Sequence, residues 1–278
     1  MTAALRAPYA RAMVAAAGVE DPALEAAFAR VPREDFMPPG PWTLRRIPGE
    51  TETLAHNDPA SLYPQSASPE VLVVLDAARG VNNGAPSLHA ALLHALAVRP
   101  GQRVLHVGAG TGYYTALLAE LVGPGGQVTG VEFDARLAGM AERNLRPWPQ
   151  ARVVRGDGAD FPAAEVDRNY VNFAVGDLPD RWLDALAPDG RLLVPLGPGQ
   201  AIRLLVTRGP DGYAARSLGW CGFIAAEGVL AGDTAQRARL AAALKSGGTE
   251  RIARLLRAPV PPGEAWLRTP RWALAPDA

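Results

Sequence analysis

Residues 103–114 read RVLHVGAGTGYY, from Arg103 to Tyr114, and the fold turns on how this stretch is read. Val104, Leu105 and Val107 form the short apolar run that a buried strand requires. Gly108, Gly110 and Gly112 then turn the chain into a helix, read over Thr115–Leu121. Glycine has no Cβ, so such a loop brings bare main chain against a ligand, and the first turn of the helix presents its free N–H groups to the same place.

The spacing selects among ligands. A dinucleotide fingerprint places its third glycine where this chain has Tyr113, whereas G-x-G-x-G, with Ala109 and Thr111 between the glycines, is the form associated with S-adenosylmethionine (SAM) methyltransferases. A second apolar run, Val128 to Val131, ends at Glu132 and Phe133. An acidic side chain there can accept both hydroxyls of a ribose. Without Glu132 the glycines would equally suit a tight turn with no ligand; with it, a nucleoside is expected, and a nicotinamide oxidoreductase is the lesser alternative.

Working outward, strands and helices alternate. Pro86 opens a helix whose apolar face is Leu88, Ala91, Leu92, Ala95 and Leu96, with Ser87 and His89 in its first turn off that face. After the glycine loop come a helix to Leu121 ended by Gly123-Pro124, a helix over Ala135–Leu145, a short strand at Val153-Val154 before Gly156-Asp157-Gly158, a strand over Tyr170–Val175, a helix near Arg181–Leu186 and a strand over Arg191–Leu196. This alternation predicts an α/β fold with a doubly wound, mostly parallel sheet. Its ligand belongs beyond the carboxyl ends of the strands, where the loop, Glu132 and Asp157 fall.

Toward the N-terminus, an Ala-rich amphipathic helix over 3–17 is followed by a second helix from Pro22, capped by Asp21 and stopping near Arg30 before Val31-Pro32. Residues 39–70, rich in Pro, Ser and Gly, read as a long loop anchored by Tyr63, and Val71–Asp76 as a strand. Toward the C-terminus, Ile202–Thr207 and Ala214–Gly222 predict two antiparallel strands at one edge, and Gln236–Leu244 and Thr249–Arg257 two helices. The expected division is 1–82 for the arm and loop, 83–222 for the ligand-binding domain and 223–278 for a helical extension.

Bulk composition narrows the function. The chain has 278 residues, with Lys+Arg 28 balanced by Asp+Glu 28, which gives no global electrostatic case for nucleic acid or an anionic membrane. The single Cys221 excludes an internal disulfide, and the four histidines lack metal-ligand spacing. Arg6 and Arg11 interrupt the place of a signal-peptide core, and no run reaches the roughly 18 apolar residues of a membrane span, so a soluble cytoplasmic protein is expected.

Several motifs in order bear a resemblance. Tyr9 to Pro38 with VPREDFMP, NGAPSLHA, VLHVGAGTGY, VVRGDGADF and APDGRLLVPLG together resemble the protein-L-isoaspartate O-methyltransferases over roughly two thirds of the chain. The resemblance implies a Rossmann-like fold of the SAM-dependent methyltransferase type with an N-terminal helical arm and a C-terminal α/β extension. It implies SAM as cofactor, contacted by Gly84, His106, Gly108, Ala109, Gly110, Thr111, Gly112, Tyr113, Glu132, Phe133, Asp157 and Gly158. Ser87 and His89 then fall in the acceptor segment 82–89, where free N–H groups at the helix start would hold a carboxylate. Plainer roles stand beside these: Asp157 as a turn cap, Ser87 as a helix cap, and His89 and His106 as packed histidines.

The departures are informative. The family's serine falls at Gly84, His106 replaces an acidic residue, and Tyr170-Val171-Asn172-Phe173 replaces small residues, which should narrow the acceptor pocket. Three functions follow in order. The first is methyl transfer to an aspartyl or isoaspartyl carboxylate of a peptide or protein, the second is transfer to a small-molecule oxygen or nitrogen, and the third is a non-catalytic SAM-binding partner. Neither the acceptor nor the oligomeric state is legible.

Overall fold

The computed structural model describes residues 2–66, 68 and 70–277. In chain order the elements are α1 (Ala3–Ala16), α2 (Pro22–Arg30), β1 (Thr43–Ile47), β2 (Thr51–Thr53), β3 (Glu70–Asp76), β4 (Val81–Asn82) and α3 (Pro86–Leu96). Then come β5 (Arg103–Val107), α4 (Tyr113–Val122), β6 (Gln127–Glu132), α5 (Ala135–Asn144), β7 (Ala151–Arg155), β8 (Val166–Val171) and α6 (Asp180–Asp184). The chain ends with β9 (Leu186–Leu196), β10 (Gln200–Gly209), β11 (Gly212–Gly222), α7 (Thr234–Ser246), β12 (Arg254–Arg257), β13 (Leu267–Arg268) and β14 (Trp272–Ala275). They fall into two compact units that interleave along the sequence: Met1–Gly101 with Ala109–Arg155, and Gln102–Gly108 with Gly156–Ala278.

The first unit holds the N-terminal arm. Asp21 accepts the Leu24 N–H and starts α2, and Val31, extended before Pro32, ends it. Arg33 is fully buried. Its guanidinium donates to the carbonyls of Leu62 (2.8 Å) and Val71 (2.5 Å), while its backbone N–H donates to the Tyr63 hydroxyl at 2.7 Å. A buried cation needs such a shell of acceptors, and here the shell joins the arm to two later segments. Phe36 packs edge-on against Tyr113 at 5.6 Å, and Trp42 is buried with its indole N–H on the Pro38 carbonyl.

Residues 39–70 are not the expected loop. They carry β1 and β2, paired antiparallel through Leu44↔Glu52, and β1 also pairs with β3 through Leu44↔Val73, giving an antiparallel sheet in the order β2-β1-β3-β4. Ala67 and Pro69 of that stretch lie outside the described residues. The hairpin escapes a periodicity reading because Leu44 is the only fully buried residue of β1 and every residue of β2 is exposed. The same unit contains the parallel pair β6–β7, in register through Glu132↔Arg155.

The second unit is an eight-strand run in the order β13-β14-β12-β11-β10-β9-β8-β5. β5, β8 and β9 are parallel, through Val107↔Val171 and Tyr170↔Leu193; β9, β10 and β11 are antiparallel. The strand expected over Tyr170–Val175 begins earlier and ends at Val171. Two C-terminal expectations are overturned. The helix expected over Thr249–Arg257 is a single 3-10 turn followed by strand β12, and β10–β11 is not at the edge, because β12, β14 and β13 continue beyond it. Ile252, Leu255 and Leu256 have helical spacing, but the backbone bonds of β12 go to β11 and β14 through Tyr213↔Leu255 and Leu255↔Leu274. Trp272 is fully buried and donates its indole N–H to Asp177 at 2.9 Å. Among the described residues no helix is long and apolar enough to cross a membrane.

Candidate functional site

In the first unit the glycine loop is held by its own main chain. The Ala109 N–H donates to the Val131 carbonyl at 3.1 Å and the Gly112 N–H to the Ala109 carbonyl at 2.9 Å. The two glycines here differ in purpose. Gly110 has φ +57° and a Cβ added to it would meet nothing within 4 Å, so its bare side faces open space. Gly112 has φ +95° and a Cβ there would lie 3.3 Å from Ala141 and Leu145, so it is bare for packing against α5. Thr111 is buried and its carbonyl accepts the Asn144 amide at 3.0 Å.

Glu132 ends β6 with only 9% of its surface exposed. Its Oε2 accepts the Gly110 N–H at 2.7 Å and its Oε1 the Asp134 N–H at 2.9 Å. Burial raises its carboxyl above the ordinary range, and the backbone N–H groups of Asp134, Gly110 and Phe133 act against the rise. A carboxylate has about four acceptor positions, so Glu132 keeps acceptor capacity for a ribose hydroxyl beside the backbone N–H groups it already holds. Phe133, next along, is 64% exposed and offers a flat apolar face. An open main-chain cradle at Gly110 beside an ionisable acceptor fits an adenosine ligand. Among the described residues no group of three or more His, Cys, Asp or Glu is placed to hold a metal ion.

The acceptor segment lies in the same unit. Gly84 has φ +78° and its N–H donates to Asn82 Oδ1 at 2.9 Å, closing the turn. His89 is fully buried, stacked on Tyr114 with ring centroids 3.6 Å apart and planes inclined 15°. The buried side of α3 is Pro86, His89, Ala90, Leu92, Leu93 and Leu96, rotated from the expected face so that His89 lies on it. The cover comes from Tyr114, which the spacing within α3 cannot reveal. A Cβ at Gly84 would sit 2.2 Å from His89 Nε2, so the imidazole fills the space where a serine side chain would start. The N–H of Ser87 is not free as expected: it donates to Glu70 Oε1 at 2.8 Å, and Glu70 is itself buried. The fold supplies its own carboxylate to that helix end.

The second unit carries the remaining predicted residues. Gly108 has φ +82° and a Cβ there would meet the Phe173 ring at 2.7 Å; its carbonyl accepts the Asn172 amide at 3.3 Å. Of the four residues expected to narrow the pocket, Tyr170 and Val171 are buried in the core, and Asn172 and Phe173 are half-buried at the strand end. His106 is fully buried and stacks on Tyr170 at 5.3 Å; burial pushes its imidazole down to about 3, so it is neutral. Asp157 Oδ1 accepts the Ala159 N–H at 2.9 Å and caps the turn Gly158–Asp160. Gly158 accepts the Trp182 indole N–H at 3.0 Å, and a Cβ there would lie 2.2 Å from Val107. Sequence reasoning missed the segment after β11. The Ala174 N–H donates to the Ile224 carbonyl at 2.8 Å and the Gly176 N–H to the Leu230 carbonyl at 2.8 Å, laying that segment along the chain that leaves β8. It has no motif to give it away.

A strand, a glycine loop, a helix and a carboxylate closing the next strand define a nucleoside-binding α/β enzyme of the methyltransferase type. The family described as Protein-L-isoaspartate(D-aspartate) O-methyltransferase (PCMT) matches residues 61–227, more than half of the chain. A protein-L-isoaspartate O-methyltransferase of Methylorubrum populi is 34% identical over 229 residues, covering 81% of this chain and 95% of its own. One from Methanothrix thermoacetophila is 32% identical, covering 69% and 82%. Among solved structures, a protein-L-isoaspartate O-methyltransferase superimposes with a TM-score of 0.65 at 22% identity, covering 95% of this chain and 86% of its own. A putative one from Plasmodium falciparum, in complex with S-adenosyl-L-homocysteine, gives 0.63 at 18%, covering 80% and 98%; both support the fold. The chain belongs to the protein-L-isoaspartate O-methyltransferase family, and with it to the SAM-dependent methyltransferases.

Proposed function

We propose that the chain methylates a carboxylate of an aspartyl or isoaspartyl side chain in a peptide or protein, in the cytoplasm. Family membership spanning the glycine loop and the acceptor segment carries this reading. Bound SAM supplies the methyl group, which passes in line to the acceptor oxygen as the sulfonium becomes a neutral thioether. A carboxylate with an ordinary pKa near ~4 is already an anion at neutral pH, so the protein needs no general base. Its task is alignment, which can supply roughly 7–11 kcal/mol of a barrier. In this reading the main chain of 108–112 meets the amino-acid end of the cofactor and Glu132 holds the ribose. Phe133, Asp157 and Gly158 serve the adenine, while Gly84, Ser87 and His89 border the acceptor. His106 and Tyr113 support the loop from its ends.

A second reading is favoured by two observations. The Glu70 carboxylate on the Ser87 N–H disfavours a negatively charged acceptor there, and the imidazole fills the space beside Gly84 where a serine hydroxyl would stand; together they suit a small-molecule oxygen or nitrogen. Labelled SAM with an isoaspartyl peptide separates the readings. Label released as methanol by alkali supports the carboxylate; base-stable label on another acceptor supports the second reading. Turnover with no acceptor on a broad panel would leave a SAM-binding partner protein.

Asp157 tests the adenine assignment. Asp157→Ala is expected to weaken calorimetric S-adenosylhomocysteine affinity about tenfold, the loss of one hydrogen bond to a charged acceptor. A residue acting only as a turn cap would leave that affinity unchanged.

A further inference from the structure

Tyr113 and Tyr114 open α4 directly after Gly112, so the loop assigned to the cofactor sets their place. The two rings have different neighbours. Tyr113 packs into the arm, edge-on to Phe36 at 5.6 Å and to Phe28 at 6.4 Å. Tyr114 lies flat on His89 at 3.6 Å, and its hydroxyl reaches to 3.5 Å from the Gly84 carbonyl. His89 and Gly84 in turn meet each other, since a Cβ on Gly84 would fall 2.2 Å from His89 Nε2. The turn itself is closed by Asn82 Oδ1 on the Gly84 N–H. One side chain of the cofactor helix therefore rests on both the turn and the first turn of α3.

We infer that Tyr114 is a positioning residue that couples the cofactor loop to the acceptor segment 82–89. The inference rests on the reading of that segment as the acceptor side. A ligand that fixes the first turn of α4 restrains the Tyr114 ring, and the ring restrains His89 and Gly84. Filling the donor site thus stiffens the acceptor turn, and linkage requires the acceptor to favour the donor site in return. The acceptor then binds best to the cofactor-loaded protein.

Hydrogen exchange across residues 82–90, with S-adenosylhomocysteine as the probe, tests this alongside acceptor KM, kcat and calorimetric S-adenosylhomocysteine affinity. In the unaltered chain, saturating S-adenosylhomocysteine is expected to slow exchange in 82–90. In Tyr114→Ala that protection disappears while the affinity for S-adenosylhomocysteine stays within about twofold, and acceptor KM rises about fivefold with kcat nearly unchanged, as loss of one aromatic stack implies. Tyr114→Phe, which keeps the stack, restores all of these. A purely structural tyrosine would lower thermal stability and leave the ligand-induced protection in place. If Tyr114→Ala does not fold, Tyr114→Leu, which keeps bulk without a flat face, is read in its stead. No protection in the unaltered chain, protection that survives the loss of the ring, or Tyr114→Phe behaving like Tyr114→Ala overturns the inference. If no acceptor is methylated, the functional reading fails separately, and the exchange measurement still decides the coupling.

Discussion

Glu132→Ala is expected to reduce S-adenosylhomocysteine affinity by at least about a hundredfold. The variant loses a ribose hydroxyl contact from a carboxylate, worth about 1.5–3 kcal/mol, and it strips the acceptors from the N–H groups of Gly110 and Asp134. The cradle loses the group that shapes it as well as the group that grips. Calorimetry checks this, with circular dichroism to establish that the variant is folded; affinity within tenfold of the unaltered chain would remove Glu132 from the site. The pH dependence has a defined sign. Burial raises the folded carboxyl above its unfolded value, so its contribution to stability is fully present in acid and is lost as pH rises through the raised pKa. Ligand binding uses the ionised form and runs the opposite way, weakening as pH falls through that same pKa. Stability and affinity measured between pH 4 and 7 should therefore slope in opposite directions for this residue, and the difference should vanish in Glu132→Gln.

Gly84→Ser, which restores the hydroxyl that family resemblance places there, is expected to destabilise the protein rather than improve it. The position is left-handed at φ +78°, which costs a residue with a Cβ about 1–2 kcal/mol, and the new Cβ would lie 2.2 Å from His89 Nε2. Driving the imidazole off Tyr114 forfeits about 0.5–1.5 kcal/mol more. A fall in Tm of about 3–6 °C is expected. The double variant Gly84→Ser with His89→Ala should be more stable than the sum of the two single changes, because removing the ring removes the clash. An unchanged Tm for Gly84→Ser alone would show that the imidazole yields freely.

What was legible in the sequence is local. The run Val104–Val107 followed by three glycines is a strand and a turn whatever surrounds it, and Asp21 before Pro22 announces α2 in the same way. The Glu132 position follows from the length of one strand–helix–strand unit. The rest depends on partners distant in the chain. β1 and β2 bury almost nothing of their own, and the spacing of Ile252, Leu255 and Leu256 suits either helix or strand until β11 and β14 take the backbone bonds. In the site, Gly84 reads as a lost serine, yet its meaning comes from His89 and Tyr114. Ser87 reads as an open helix end, yet Glu70 had already closed it. The cofactor side proposed above is built from main-chain groups and one carboxylate, features that motif spacing can point to. The acceptor side is made by side chains whose neighbours only folding selects.

The strands that follow α7 have a consequence for where this protein can be cut. β12 pairs with β11 through Tyr213↔Leu255 and Ala214↔Arg254, and β14 then covers β12 from Arg254↔Ala275 to Arg257↔Trp272. A chain terminated at Gly222 would bare the rim of β11 at 213–215, its amides and carbonyls there free to recruit a strand from a neighbouring molecule. The last fifty or so residues thus act as a selvedge, woven on so that the fabric of the sheet neither frays nor catches on its neighbours.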